Sequence, residues 1–121
     1  MTISCYRKAV STAFAEEAVR IHRQGRLSDR VIAAATGAAP STVRGWLGKR
    51  SKPTGDRATR VVELSAIVDR LAKVMRPEYI PVWMTKPLEA LDDEKPVDLI
   101  RRGEYRRVAA VISELEDPGA V

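Results

Sequence analysis

The sequence predicts an all-α protein in two parts, an N-terminal helix-turn-helix domain and a small C-terminal helical domain. Three observations carry this. Apolar residues recur at three- and four-residue steps almost throughout, the signature of helices with one buried face. No segment shows the strict alternation of a half-buried strand. The seven glycines and seven prolines, Gly45 apart, fall between the apolar runs, where they work as punctuation.

The first helix is expected over Lys8 to Gln24, with Val10, Phe14, Ala18 and Ile21 on one face and Gly25 as its stop. Ser28 is placed to cap a second helix, Asp29 to Thr36, because its hydroxyl can satisfy a free amide of the first turn. Gly37 breaks the chain, and Ser41 is the expected cap of a short helix that runs to about Leu47. A basic loop, GKRSKPTG at 48–55, precedes a long helix from about Arg57 to Val74 or Met75. Its stripe of Val61, Leu64, Val68, Leu71 and Met75 suits either a helix-on-helix seam with a second copy or an ordinary core helix.

Pro77 and Pro81 open a short helix around Tyr79 to Met84, which Pro87 ends. Pro96 opens VDLIRR, since proline is tolerated at a helix start, and Gly103 ends that piece. Glu104 to Glu116 is the last predicted helix, with Tyr105, Val108, Val111, Ile112 and Leu115 inward. The expected division is residues 1–56 as the helix-turn-helix domain, 57–76 as a connecting or dimerising helix, and 77–121 as a second domain. A part of about 60 residues buries too little surface to be comfortable alone, so the halves should pack together or the chain should oligomerise.

Charge follows the same division. Residues 1–60 hold twelve Lys and Arg against four Asp and Glu, and residues 61–121 hold nine against twelve. A basic first half points to phosphate backbone as its partner. In DRVIAAATGAAPSTVRGW, residues 29–46, Ala33 lies four before Gly37, and Val43 and Trp46 fall on the inner face of the following helix. Two helices that meet sharply need a small residue at the contact and a glycine in the turn. Ser41, Thr42 and Arg44 are left facing outward, where a recognition helix meets base edges, and Arg44 suits a bidentate bond to guanine. Lys49, Arg50 and Lys52 are placed to neutralise phosphates. Ala, Gly, Val and Trp at these spacings resemble the Xre-type helix-turn-helix. The alternative is a helical core with a turn of this shape that touches no DNA. Gly45 is poor helix chemistry and costs about 1 kcal/mol against alanine; close approach to a DNA backbone would be one reason for it.

The second half has no enzyme logic. It contains no histidine, no cysteine and no glycine-rich phosphate loop, and Asp92, Asp93 and Glu94 are too bunched for a separated acid and base. One cysteine, Cys5, and one histidine, His22, make neither an internal disulfide nor a metal cluster, so no cofactor or metal is expected. No run approaches the ~18 apolar residues of a spanning helix, and the N-terminus lacks a signal-peptide core, so a soluble, cytoplasmic protein without a membrane partner is expected.

Trp83, Leu88, the Pro96–Asp98–Leu99 cluster, Gly103–Glu104–Tyr105 and the closing apolar helix with its glycine-containing tail resemble the C-terminal domain of the MbcA/ParS/Xre antitoxin family. The likeness covers about Arg76 to Val121, and a helix-turn-helix ahead of it fits the family layout. The resemblance implies an antitoxin that binds a RES-domain toxin, covers the cleft in which that toxin destroys NAD, and binds the operator of its own operon. It also implies a homodimer or a higher hetero-oligomer with the toxin. The toxin-facing candidates are Trp83, Arg101, Arg102, Tyr105, Arg106 and the tail Pro118, Gly119, Ala120 and Val121. The other class of reading is a stand-alone transcriptional regulator whose C-terminal half dimerises or senses a ligand.

Overall fold

The computed structural model describes residues 2–117, with side chains from residue 13 onward. Its helices are α1 (Thr2–Gln24), α2 (Asp29–Thr36), α3 (Pro40–Leu47), α4 (Gly55–Val74), α5 (Ile80–Thr85), α6 (Pro96–Arg101) and α7 (Tyr105–Glu116). Two single 3₁₀ turns, Pro77–Tyr79 and Glu89–Leu91, link the shorter pieces. No strand forms among the described residues; the nearest approach is an isolated bridge between Leu88 and Glu94. The fold is all-α, as the periodicity requires.

Local chemistry sets most boundaries. The Ser28 hydroxyl accepts from the Val31 amide at 3.2 Å, the cap expected for α2. Gly37 closes α2 in the left-handed region (φ +78) and donates its amide to the Ala33 carbonyl. Ser41 does not cap α3. Pro40 already occupies the first turn, so Ala39 is the cap residue and makes no side-chain cap bond. The proline's fixed φ is pre-set for the helix, which moves the start two residues earlier. Helix α4 starts at Gly55, earlier than the expected Arg57, and α7 starts at Tyr105, one residue later than the expected Glu104.

Helix α4 is the spine. It packs against α1 and α2 on one side and α5, α6 and α7 on the other, while α2 lies against both α3 and α6. The buried core is therefore one cluster from Ala18 through Ile32, Trp46, Leu64 and Leu99 to Ile112. The two halves share it. Val61, Leu64, Val68 and Leu71 are all covered within the single chain, leaving at most 1% of their surface exposed. The stripe on α4 is thus spent on the chain's own core. Leu115, expected inward, is 41% exposed near the end of α7.

Polar bonds fix the helix pairs. Between α1 and α4, Arg20 donates to Asp69, Ser65 and Glu17, and the Ser65 hydroxyl donates to Glu17. Between α4 and α7, Arg70 grips Glu116 through two bonds of 2.6 and 3.1 Å and donates to Ser113 at 2.9 Å. Gly25 does more than stop α1. A Cβ there would lie 2.8 Å from the Ile21 carbonyl oxygen and 2.9 Å from a Val68 methyl, so the glycine lets α1 close on α4. Because one of those contacts is backbone, Gly25→Ala should destabilise the protein by about 1–3 kcal/mol through overpacking. Thermal denaturation checks this, and an unchanged midpoint would refute the close-approach explanation.

Candidate functional site

The helix-turn-helix half presents the geometry that its residue types require. Ala33, Val43 and Trp46 are buried where α2 meets α3, while Ser41 and Arg44 are exposed and Thr42 is half-buried. Arg44 is not free. Its Nη1 donates to Asp29 Oδ2 at 2.6 Å, which ties the third helix back to the first turn of α2. That bond holds the Asp29 carboxyl below the usual aspartate range. Both groups keep contact with solvent, so the pair orients the guanidinium more than it stabilises the fold.

Lys49, Arg50 and Lys52 are exposed on the loop after α3. The loop folds back on the helix. The Gly45 carbonyl accepts from the Arg50 amide at 2.9 Å and from the Ser51 amide at 3.3 Å. A Cβ at Gly45 would sit 2.6 Å from the Ser51 hydroxyl oxygen. The Ser51 hydroxyl is the free end of an exposed side chain, so this contact alone does not require a glycine.

In the C-terminal half Trp83 and Tyr105 are half-buried against the core, and Arg106 is exposed. Arg102 is committed internally. It grips Glu94 through two bonds of 2.9 and 2.5 Å and donates to Glu104 at 2.8 Å. Arg107 continues the chain of pairs to Glu104 and Asp92, each at 3.0 Å. Arg101 points elsewhere, toward α2, with its Nε 3.9 Å from where a Gly37 Cβ would be. Pro118, Gly119, Ala120 and Val121 lie outside the described residues. Glu116, at the end of α7, is held by Arg70.

Sequence reasoning missed two exposed apolar side chains in this half, Tyr79 (56% exposed) and Val82 (57%). The signal was present: the YIPVWM segment is apolar on every side, whereas only Ile80 and Met84 are needed for the core. Among the described residues no group of His, Cys, Asp or Glu could hold a metal ion. No described helix is long and apolar enough to cross a membrane.

The carboxylates of the Arg102 network titrate low. Arg102 holds Glu94 below its ordinary 4.5, and Arg102 followed by Arg107 does the same for Glu104. Depressed carboxyl values contribute stability that is present above pH 4.5 and lost as pH falls through the lower folded-state values. The melting temperature should therefore decline below about pH 4.5, and less steeply in Arg102→Met. Equal acid slopes for the two proteins would show the network is not linked to folding.

Fold and surface together define a class: an all-α protein that joins a helix-turn-helix to a helical C-terminal half through one core. No family model matches the chain. It is 36% identical over 80 residues to the mycobacterial cidal antitoxin MbcA of Mycobacterium tuberculosis, an alignment covering 66% of this chain and 71% of that protein. The MbcA of Mycobacterium bovis matches with the same identity and coverage. The crystal structure of the M. tuberculosis MbcT–MbcA toxin–antitoxin complex contains a chain that superposes with a TM-score of 0.77 at 30% identity, covering 88% of this chain and 96% of that one. The chain belongs to the MbcA antitoxin family; it is an antitoxin of a toxin–antitoxin system.

Proposed function

We propose that the chain neutralises a RES-domain toxin by covering the cleft in which that toxin consumes NAD, and that it represses its own operon by binding operator DNA. The observation that carries the toxin reading is the fold match with a chain of the MbcT–MbcA toxin–antitoxin complex over 88% of the present chain. The contact surface in this reading comprises Trp83, Tyr105 and Arg106, joined by the exposed Tyr79 and Val82, with Arg102 at its margin, whereas Arg101 is turned away toward Gly37. Burying such aromatic anchors supplies most of the binding energy in an interface of this kind. The tail Pro118–Val121 enters the NAD cleft. Glu114 and Asp117 add negative charge beside it, whereas Glu116 is already neutralised by Arg70.

For DNA, Ser41, Thr42 and Arg44 read base edges, and Lys49, Arg50 and Lys52 meet phosphates. The support is the exposed basic loop held against α3, in a half whose charge balance is strongly positive. The test is co-expression with the product of the adjacent reading frame, scored by growth and by co-purification, for the full chain and for a truncation lacking 118–121. The full chain should bind and protect. The truncation should bind and fail to protect, because the helical face still supplies the apolar contact. A truncation that binds and protects would assign neutralisation to the helical face, and a full chain that neither binds nor protects would end the antitoxin mechanism proposed here.

A further inference from the structure

A cleft of about 260 Å³ lies between α2 and α6, with Arg30 and Arg101 on its walls and Ala33, Ala34, Gly37 and Pro40 around them. The geometry points to a binding site for a DNA-backbone phosphate, clamped between a guanidinium of the helix-turn-helix and one supplied by the C-terminal half. This inference rests on the DNA-binding reading and extends it to a residue that the family resemblance placed on the toxin side.

Four features support it. The first is charge. Arg102 and Arg107, beside Arg101 in sequence or on the next helix, are neutralised by carboxylates of their own half. Arg30 and Arg101 have no ion pair among the described residues. Asp29 feels the charge of Arg30 but gives its carboxylate bonds to Arg44 and to the Arg30 backbone amide. Two like charges on one small cleft repel each other, and an anion between them reverses the sign.

The second feature is shape. The lining between the two arginines is alanine, glycine and proline, which lets a bulky anion approach closely. A planar guanidinium fork matches phosphate oxygens two at a time. The third is rigidity. Arg60 Nε donates to the Arg101 carbonyl at 3.4 Å, which ties the end of α6 to α4. Gly103, in the left-handed region at φ +87, carries the chain over that guanidinium; a Cβ there would stand 2.9 Å from Arg60 Nη2. The fourth is position. Pro40 on the cleft wall is the first residue of α3, directly before Ser41 and Thr42. A duplex read by those side chains brings its backbone to the cleft.

The test is a fluorescence-anisotropy titration of the full chain on a duplex from upstream of its own gene and on a scrambled duplex of equal length, over a series of KCl concentrations. Arg101→Gln and Arg30→Gln should each lower affinity for both duplexes by the same factor and flatten the salt slope by about one unit. Arg101→Lys, which keeps the charge, should retain the slope, and all three should melt like wild type and co-purify with the toxin. Wild-type affinity and slope in Arg101→Gln, alongside lost sequence preference in Arg44→Ala, would overturn the clamp and leave the DNA reading standing. Arg101→Gln that binds DNA normally but loses the toxin would return this residue to the toxin face. A wild-type chain that binds neither duplex would remove both the clamp and the reading beneath it.

Discussion

Val68→Asp should unfold the chain rather than separate two copies of it. Val68 is 1% exposed on α4 and touches the space that Gly25 keeps open on α1. An aspartate there buries a carboxylate with no partner, an uncompensated charge that costs about 3–5 kcal/mol or more. A domain of this size holds only about 5–15 kcal/mol in total, so a large share of the stability goes with one side chain. Circular dichroism should show lost helicity and no cooperative melt at 37 °C. A soluble, fully helical variant with only its mass in light scattering altered would instead make the α4 stripe an intermolecular seam.

The second large effect is expected on cutting the chain after Arg76. Residues 1–76 keep α1 to α4, yet they lose Ile80, Met84, Leu91, Val97, Leu99, Ile100, Val108 and Ile112 from the common core. Helix α2 would lose its packing against α6, and α4 its packing against α5, α6 and α7. A fragment this short, with one face of its central helix stripped to water, falls below what a small core can stabilise. It should be partly helical and melt without cooperativity. A sharp transition at the full-length temperature would show that the helix-turn-helix half is an independent domain.

How much of this was legible beforehand depends on the range of the interaction. The Ser28 cap, the Gly37 stop and the inward Val43 and Trp46 follow from spacing within a few residues, and each is where the sequence places it. Ser41 was misread as a cap because a serine is a better cap than alanine by its side chain, whereas Pro40 decides the start through its backbone. The contact between Gly45 and Ser51 comes from a loop whose return on α3 leaves no periodic trace. The direction of Arg101 is set by the packing of α6 on α2, a contact between distant parts of the chain. Arg101 and Arg102 are adjacent and identical in type. Only the tertiary structure shows one tied to Glu94 and the other turned toward Gly37.

The two hydrogen bonds that the Gly45 carbonyl accepts have an entropic consequence. A free loop that met an anion would have to give up backbone freedom worth about 1–2 kcal/mol per residue at the moment of contact. Here the Arg50 and Ser51 amides are already held on α3, so that part of the loop has surrendered its freedom during folding. If Lys49 and Arg50 meet phosphates as proposed, their backbone needs less ordering on contact, and more of each electrostatic contact survives as net affinity.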